Sequence, residues 1–363
     1  MRLQTTLQDT TEVEDTEGTS SWRQVTCLGR ALTHVPPFRA HRFWRTADLQ
    51  TVRHFVTQPY YDLTPWPADS LWLPVSGGDR LAATLHTNAG GTVRPLVVLI
   101  HGLTGCADSH YVRASARAFL EVGYPVCRLN LRGSPPSRPG CRGHYHAGRS
   151  EDIRNALLAL DTARPDVTAG GIVPVGFSLG GNMLLKFLAE TEEQSPRIPA
   201  AGIVSAPIDL AATSRQFSRP RNWLYHRWLL RRLAAESTAP PAAISKQEQA
   251  AIESARSVYE FDDGFVAPHH GFAGADDYYA RCSGLNFVDR IPTRTLLIHA
   301  NDDPWIPSTA YRYHTWATND RLSVLLTDQG GHLGFHARNS RVSWYNCVLI
   351  RFVEDVLKDR RDV

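Results

Sequence analysis

The sequence Gly-Phe-Ser-Leu-Gly at residues 176–180 constrains the fold of this 363-residue chain more than any other feature. It follows the apolar run at 172–175 and precedes a helix-like stretch at 182–188. This order predicts a strand, a sharp turn and a helix, with glycines leaving room for the flanking chain around a strained serine backbone. The hydroxyl of Ser178 is then exposed at a helix N-terminus, where free backbone N–H groups favour the negative charge that develops during acyl transfer.

An acidic residue and a histidine follow in an order that indicates a catalytic triad. The buried-strand pattern at 295–300 leads into Asp303, and the next strand-like run at 322–327 leads into a glycine-rich loop that carries His332. The chain order Ser178, Asp303, His332 is that of the α/β-hydrolases, and it differs from the two well-known protease orders of the same residue types. We therefore predict that these three residues are catalytic.

Two adjacent carboxylates compete for the place behind His332. From Asp303 onward the residues Asp-Pro-Trp-Ile-Pro match the pattern D-x-x-[VI]-P, which is typical of the acid loop of many α/β-hydrolases. In that pattern the acidic residue follows directly after the strand, and the apolar residue before the proline anchors the next helix. Asp303 is therefore the predicted acid, whereas Asp302 is predicted to brace the loop by accepting backbone N–H bonds, a common task for Asp in turns.

A third motif supplies candidate hydrogen-bond donors for an oxyanion. The continuous apolar run at 95–100 predicts a central parallel strand, and it ends in His101-Gly102-Leu103. The expected oxyanion donors are the backbone N–H groups of Leu103 and of Leu179, the residue after the nucleophile. His101 is either a brace for this loop or a second catalytic base, and we favour the brace because His332 already fills the base role.

Composition excludes several classes of protein. The net charge of +3 gives no electrostatic case for nucleic acid as a partner. The six cysteines are scattered without a C-x-x-C pair, so neither a metal site nor a disulfide framework is predicted. The triad chemistry also needs no cofactor. No run approaches the ~18 apolar residues of a membrane span, and the N-terminus lacks a hydrophobic segment, so we expect a cytoplasmic protein without a signal peptide.

The alternation of strand and helix patterns predicts an α/β-hydrolase fold, with a mostly parallel central sheet and helices on both faces. Residues 1–35 are expected to form a polar N-terminal tail, and residues 36–207 and 291–363 the core. The strand–helix alternation is interrupted at 208–290, and roughly eighty residues are too many for a loop in a compact domain. This insertion is therefore predicted to be a mostly helical cap over the active site.

The cap contains a basic amphipathic stretch at 219–233. One interpretation is that it lies on an anionic membrane surface, with Trp and Leu inserted and arginines at the headgroups. The interpretation that we favour is a cap helix whose apolar face lines the acyl pocket. Trp223, Trp228, Tyr278 and Tyr279 are the predicted substrate-binding residues.

Further motifs between about residue 36 and the C-terminus carry a resemblance to a known family. They are Leu49-Gln50-Thr51, His101-Gly102-Leu103-Thr104-Gly105 with Ser109 and Tyr111, Asn130-Leu131-Arg132-Gly133, Tyr145-His146 with Gly148, Gly176-Phe177-Ser178-Leu179-Gly180-Gly181-Asn182, Gly271-Phe272 with Asp277-Tyr278-Tyr279, and Asp302-Asp303-Pro304. Together they resemble the YheT-like branch of the α/β-hydrolases, although Ala47-Asp48 stands where that branch usually shows Gly-His. The resemblance implies carboxylester hydrolysis, with medium-chain or phospholipid-like esters as substrates, and in some relatives acyl transfer to an alcohol.

The residues and the resemblance together predict a serine hydrolase whose partner is a small-molecule ester. The first alternative keeps the same acyl-enzyme but passes the acyl group to an alcohol, which would require the cap to exclude water. The second alternative is a non-catalytic lipid-binding protein on the same scaffold. Such proteins usually lose a triad member, and here none is lost. The sequence specifies neither the acyl chain length nor the oligomeric state.

Overall fold

A nine-stranded β-sheet forms the centre of the molecule. The structure is a computed structural model, and it describes residues 25–30, 32, 35–87, 93–190, 196–338 and 340–360. The strands are β1 (Val25–Gly29), β2 (Ala68–Pro74), β3 (Arg80–His86), β4 (Leu96–Ile100), β5 (Val126–Leu129), β6 (Ile172–Phe177), β7 (Ala201–Val204), β8 (Thr295–Ala300) and β9 (Leu322–Thr327). Their order in the sheet is β1-β9-β8-β7-β6-β4-β5-β3-β2.

The six inner strands, β4 to β9, are parallel, whereas β1 and the β2–β3 hairpin pair antiparallel at the two edges. Every residue of β4, β6, β8 and β9 is buried, which is why these strands read as continuous apolar runs. In the register, Ile100 pairs with Gly176 and Val204 pairs with Ile298. The carboxyl ends of four strands therefore meet at one edge of the sheet, where the predicted site residues follow.

Thirteen α-helices surround the sheet within the part of the chain that the structure describes. They are α1 (Ala47–Thr57), α2 (His110–Glu121), α3 (Ser150–Ala163), α4 (Pro165–Thr168), α5 (Leu179–Ala189), α6 (Leu210–Phe217), α7 (Trp223–Thr238), α8 (Lys246–Ser254), α9 (Val258–Phe261), α10 (Ala267–His269), α11 (Ala275–Cys282), α12 (Thr309–Tyr313) and α13 (Trp344–Asp359). None of these helices has both the length and the apolar character needed to cross a bilayer.

Helices cover both faces of the sheet because side chains alternate along each strand. Leu96, Val98 and Ile100 of β4 belong to one apolar cluster, which includes buried residues of α3 and α5. Val97 and Leu99 belong to a second cluster, which includes buried residues of α2 and α13. This three-layer arrangement confirms the predicted fold class.

Helices α6 to α11 and a π-helical stretch, Asp262–Val266, lie in the chain between β7 and β8. They build a third apolar cluster around residues such as Leu229, Phe261 and Phe265. Leu179, the first residue of α5, belongs to the same cluster. The inserted helices are therefore packed directly over the turn between β6 and α5.

The N-terminal segment differs in part from the predicted loose tail. Val25–Gly29 forms strand β1, which pairs antiparallel with β9 at the edge of the sheet. The edge of β9 would otherwise present unpaired backbone groups, and a short strand satisfies them. The tail prediction is therefore wrong for these five residues. Residues 1–24 lie outside the described part of the chain.

Candidate active site

Ser178 lies at the turn between β6 and α5, as the sequence predicts. Its backbone has φ 50° and ψ −124°, a left-handed conformation that is strained for a residue with a side chain. Its backbone N–H donates to the carbonyl oxygen of Val204, 2.9 Å away. A Cβ on Gly102 would lie 2.8 Å from the Ser178 Cβ, and one on Gly180 would collide with the carbonyl of His101. The glycines therefore allow the two loops to approach around the serine.

A chain of hydrogen bonds connects the serine hydroxyl to a buried carboxylate. Ser178 Oγ lies 3.1 Å from His332 Nε2, and His332 Nδ1 lies 2.8 Å from Asp303 Oδ2. With Nδ1–H donating to the carboxylate, Nε2 carries a lone pair that can accept the serine proton. The indole of Trp305 stacks beside the imidazole, with ring centroids 4.5 Å apart. This arrangement can activate a hydroxyl as a nucleophile.

The two neighbouring carboxylates have different partners. Asp303 Oδ1 accepts the backbone N–H groups of Trp305 and Ile306, at 2.8 and 3.0 Å. Burial by itself raises the pKa of Asp303, but His332 and the hydrogen bonds outweigh burial and hold that pKa below its usual value. Asp302 instead accepts the Gly331 N–H at 2.9 Å, and burial raises its pKa to about 6. The structure thus places Asp303 behind the imidazole and Asp302 at the base of the loop.

The predicted oxyanion donors both line the cavity beside Ser178. Leu179 begins α5, so its N–H has no helical acceptor one turn earlier. His101 is fully buried and accepts the Leu131 N–H at Nε2, 3.0 Å away, so its Nδ1–H donates to the Gly102 carbonyl at 2.8 Å. Burial lowers the pKa of His101 to about 4, so the ring is neutral and braces the loop.

The loop after Leu103 is held from the cap, which the sequence analysis did not anticipate. Thr104 has a positive φ of 54°, its N–H donates to the Tyr145 hydroxyl, and its carbonyl accepts from the guanidinium of Arg232, each over 2.7 Å. The Tyr145 hydroxyl also interacts with the carboxyl of Glu236, and burial raises the pKa of Glu236 to about 7. Arg232 and Glu236 are one turn apart on α7. One face of this cap helix therefore holds the loop in place through polar contacts.

Helix α1 supports the histidine loop. The backbone N–H of His332 donates to Thr51 Oγ1 at 2.9 Å, and Gln50 Oε1 accepts the N–H of His336 at 2.7 Å. A Cβ on Gly331, which has φ 57°, would lie 2.7 Å from Thr51 Oγ1. The absence of a side chain at Gly331 thus allows α1 to pack closely against the histidine loop. The Leu-Gln-Thr motif was the available signal for this contact.

A cavity of about 290 Å³ opens from Ser178 and His332 into the cap. Its apolar wall comes mainly from cap side chains: Leu210, Phe217, Leu229, Leu233, Phe261 and Phe265. Of the residues predicted to bind substrate, Trp228, Tyr278 and Tyr279 line this cavity. The prediction for Trp223 is wrong, because its side chain is 56% exposed and lies outside the cavity lining. Across the described ranges, no group of three His, Cys, Asp or Glu residues could hold a metal ion.

Comparison with known proteins agrees with this architecture. Residues 95–338 match the family model of the alpha/beta hydrolase fold. The chain is 34% identical over 245 residues to the Escherichia coli (strain K12) protein named "Putative esterase YheT", covering 67% of this chain and 71% of that protein. It is 27% identical over 304 residues to phospholipase ABHD3 of Mus musculus, covering 80% and 71%. The solved structure of the Pyrococcus furiosus esterase Pf2001 shares the fold, with a TM-score of 0.55 at 15% identity over 80% of this chain and 93% of that one.

The chain therefore belongs to the α/β-hydrolase family. Within that family its similarity to YheT confirms the YheT-like branch indicated by the sequence motifs.

Proposed function

We propose that this protein is a serine hydrolase that cleaves carboxylic esters. The observation that carries the proposal is the hydrogen-bonded chain from Ser178 through His332 to Asp303, which ends at the floor of an apolar cavity. The names of the esterase and phospholipase relatives support the same class of reaction. No metal or organic cofactor takes part in the proposed mechanism.

In the first half-reaction, Ser178 Oγ forms a bond to the ester carbonyl carbon while His332 Nε2 takes the hydroxyl proton. The carbonyl oxygen becomes an oxyanion that accepts from the N–H groups of Leu103 and Leu179. The bond to the alcohol oxygen then breaks, and His332 gives its proton to that oxygen. Asp303 holds the imidazole in the required tautomer and stabilises its charged form.

In the second half-reaction, His332 takes a proton from water, and the resulting hydroxide attacks the acyl carbonyl of the acyl-enzyme. The bond to Ser178 Oγ breaks, the serine regains its proton, and the carboxylic acid leaves. An alcohol in place of water would give a new ester by the same steps. Activity assays must therefore measure both products.

The cavity favours short- to medium-chain or lipid-like acyl groups. Its cap wall is leucine and phenylalanine, and each buried methylene contributes roughly 0.8 kcal/mol. The lining also includes polar side chains, among them Glu236, Asp262 and His270. The proposed partner is accordingly a small-molecule ester with an apolar acyl chain.

A fluorophosphonate probe tests the nucleophile directly. We expect the probe to label the wild type on the peptide that contains Ser178, and Ser178→Ala to remain unlabelled. Ser109→Ala is a matched control, since the Ser109 hydroxyl lines the same cavity but accepts a backbone N–H from Cys106. A p-nitrophenyl ester series from C2 to C16, with an added alcohol, then reports acyl preference and acyl transfer. A wild type that is neither labelled nor active on any ester would refute the proposal.

A further inference from the structure

An exposed apolar patch lies beside the cavity that contains Ser178. We call it the rim patch, and it consists of Phe55 and Val56 on α1 with Trp223, Leu224 and Trp228 on α7. Their exposed fractions run from 38% for Trp228 to 72% for Leu224. The rings of Phe55 and Trp228 are 5.8 Å apart, so the two helices contribute to one surface. Contiguous exposed apolar side chains of this kind mark interaction sites.

The rim patch is accompanied by positive charge. Arg227 and Arg231 are exposed and follow Leu224 by three and seven positions, which places them on the same face of α7. The Arg227 guanidinium stacks on Trp223, 5.5 Å from the ring centroid. The only carboxylate in α7 is Glu236, which lines the cavity. The outward face of the helix is therefore basic and aromatic.

Other charged groups border this face. Asp48 on α1 pairs with Arg221 at 2.8 Å and also accepts from the hydroxyl of Tyr225. Arg53 lies over the ring of Trp44. The carboxylate of Asp48 is thus paired with Arg221. The net charge on the outward face of α7 is therefore positive.

The rim patch is continuous with the cavity. Phe55 and Trp228 are both exposed at the surface and both line the cavity that contains Ser178. An ester that enters between these two rings therefore passes from the rim patch into the cavity that contains the nucleophile. This continuity favours a partner that is itself the source of an apolar substrate.

We propose that the rim patch docks on an anionic lipid bilayer, with aromatic side chains at the interface and arginines at the phosphate groups. Trp side chains are favoured at bilayer interfaces, and arginines beside them are attracted to anionic headgroups. Trp223, which does not line the cavity, becomes an anchor on the membrane. The two interpretations of residues 219–233 then apply to opposite faces of one helix. The entry of a lipid ester from the bilayer rests on the proposed hydrolase function, whereas the docking does not.

Vesicle flotation with the full chain tests the docking. We expect the wild type to float with 7:3 phosphatidylcholine–phosphatidylglycerol vesicles and less with phosphatidylcholine alone. The double variant Trp223→Ser/Leu224→Ser should bind the anionic vesicles at least about tenfold more weakly, because both side chains lose apolar burial. Arg227→Glu/Arg231→Glu should weaken binding by at least about twentyfold, and added salt should weaken wild-type binding in the same direction.

The matched controls are exposed residues outside the rim patch. Tyr313→Ser removes an aromatic side chain that is 83% exposed on α12, and Arg290→Glu/Arg321→Glu makes the same change in net charge. Both controls should float like the wild type. All variants should keep wild-type turnover of a soluble butyrate ester, because none of the substituted side chains lines the cavity, and unchanged circular dichroism would show that they fold.

Three results would overturn the docking: a wild type that does not float with anionic vesicles, rim variants that float like the wild type, or control variants that lose binding equally. Light scattering without lipid tests whether the rim patch instead joins two copies of this chain. If the rim variants abolish a dimer and leave flotation unchanged, the patch is an interface between copies and the proposal is wrong. Flotation without any ester turnover would instead refute the hydrolase function and leave the docking intact.

Discussion

The core and the cap build the site in opposite ways. In the core, Ser178, His332 and Asp303 are fixed by hydrogen bonds of 2.8 to 3.1 Å between loops that follow different strands. In the cap, the cavity wall consists of apolar side chains that are held mainly by packing against one another. Directional bonds specify one reacting geometry, whereas apolar packing accommodates substrates that differ in length. The proposed hydrolase would therefore take its reacting geometry from the core and its choice of substrate from the cap.

The carboxyl groups of Asp303 and Glu236, one from each region, show the same contrast. Asp303 in the core has a pKa below its usual value, since His332 and backbone N–H groups favour the charged form despite burial. Glu236 in the cap has a pKa raised to about 7 because burial outweighs its interactions with Tyr145, Arg138 and Arg232. The core therefore keeps a charge for use behind the imidazole, and the cap keeps a proton up to about neutral pH.

The largest expected effect comes from removing the nucleophile from the core. Ser178→Ala should lower kcat/KM on any accepted ester by at least about three orders of magnitude, because no other hydroxyl can form the acyl-enzyme. The thermal midpoint should change little, since the substitution removes one oxygen. Steady-state kinetics of purified protein checks this prediction. Wild-type turnover by the variant would remove the proposed mechanism, and with it the assignment of the reaction to the core.

Asp303→Asn should reduce kcat by about two to four orders of magnitude, because an amide cannot stabilise the imidazolium and can hold the wrong tautomer. Asp302→Asn is the matched control one residue away. It changes an acceptor of the Gly331 N–H and should cost far less activity. The two kcat values at neutral pH check this prediction. A reversed ranking at equal thermal stability would transfer the role of the acid to Asp302.

Arg232 tests how far the cap contributes to the core site. Arg232→Ala should lower kcat by about ten- to a hundredfold with little change in KM, because Thr104 loses its partner and the Leu103 N–H loses its position. Arg232→Lys should recover part of the rate by restoring a donor. Arg231→Ala, one residue earlier on the exposed face, should leave turnover of soluble esters unchanged. An equal loss of kcat in both alanine variants would show that the effect is general to the helix.

Acyl selectivity should respond to the cap and not to the core. In the wild type, kcat/KM should rise by about fourfold per added methylene over several carbons before the cavity is full. Trp228→Ala should shift the preferred length, whereas Trp223→Ala should leave the profile of soluble esters unchanged, since only Trp228 lines the cavity. A p-nitrophenyl ester series checks both variants. A flat profile in the wild type would argue against an acyl site in the cap.

The smallest effect concerns stability. The pKa of Glu236 is raised from about 4.5 to about 7 in the folded protein, so its stabilising contribution is complete below pH 4.5 and is lost as pH rises through 7. Glu236→Gln should remove this loss. Urea unfolding between pH 4.5 and 7.5 should show that the wild type loses about 3 kcal/mol relative to the variant. Asp262 and Asp302 titrate in both proteins, so their contributions cancel in the difference between the two unfolding free energies. If the difference in unfolding free energy between the wild type and Glu236→Gln stayed constant across this range, the raised pKa of Glu236 would be contradicted.

Parts of the site that depend on neighbouring residues could be predicted from the sequence. The turn at Ser178 requires only a strand, two glycines and a helix in order, and all three are local patterns. The choice of Asp303 over Asp302 is also local, because the N–H groups that Asp303 accepts belong to Trp305 and Ile306, two and three residues later. Such short-range geometry repeats wherever the same residues recur, which is why the motif predicted it.

Contacts between distant parts of the chain were decided only by the tertiary structure. Thr51 supports His332 across 281 residues, and β1 pairs with β9 across almost three hundred. Trp223 and Trp228 look equivalent in the sequence, and both are exposed, but five positions at about 100° per residue separate them by about 140° around α7. Only the packing of α7 on the core puts Trp228 at the cavity as well. The sequence by itself determined the positions of Ser178, Asp303 and His332 at the ends of their strands, because these follow from local turns. The tertiary structure decided which cap surface faces the cavity and which faces outward, because the rotation of a helix about its axis depends on everything that it packs against.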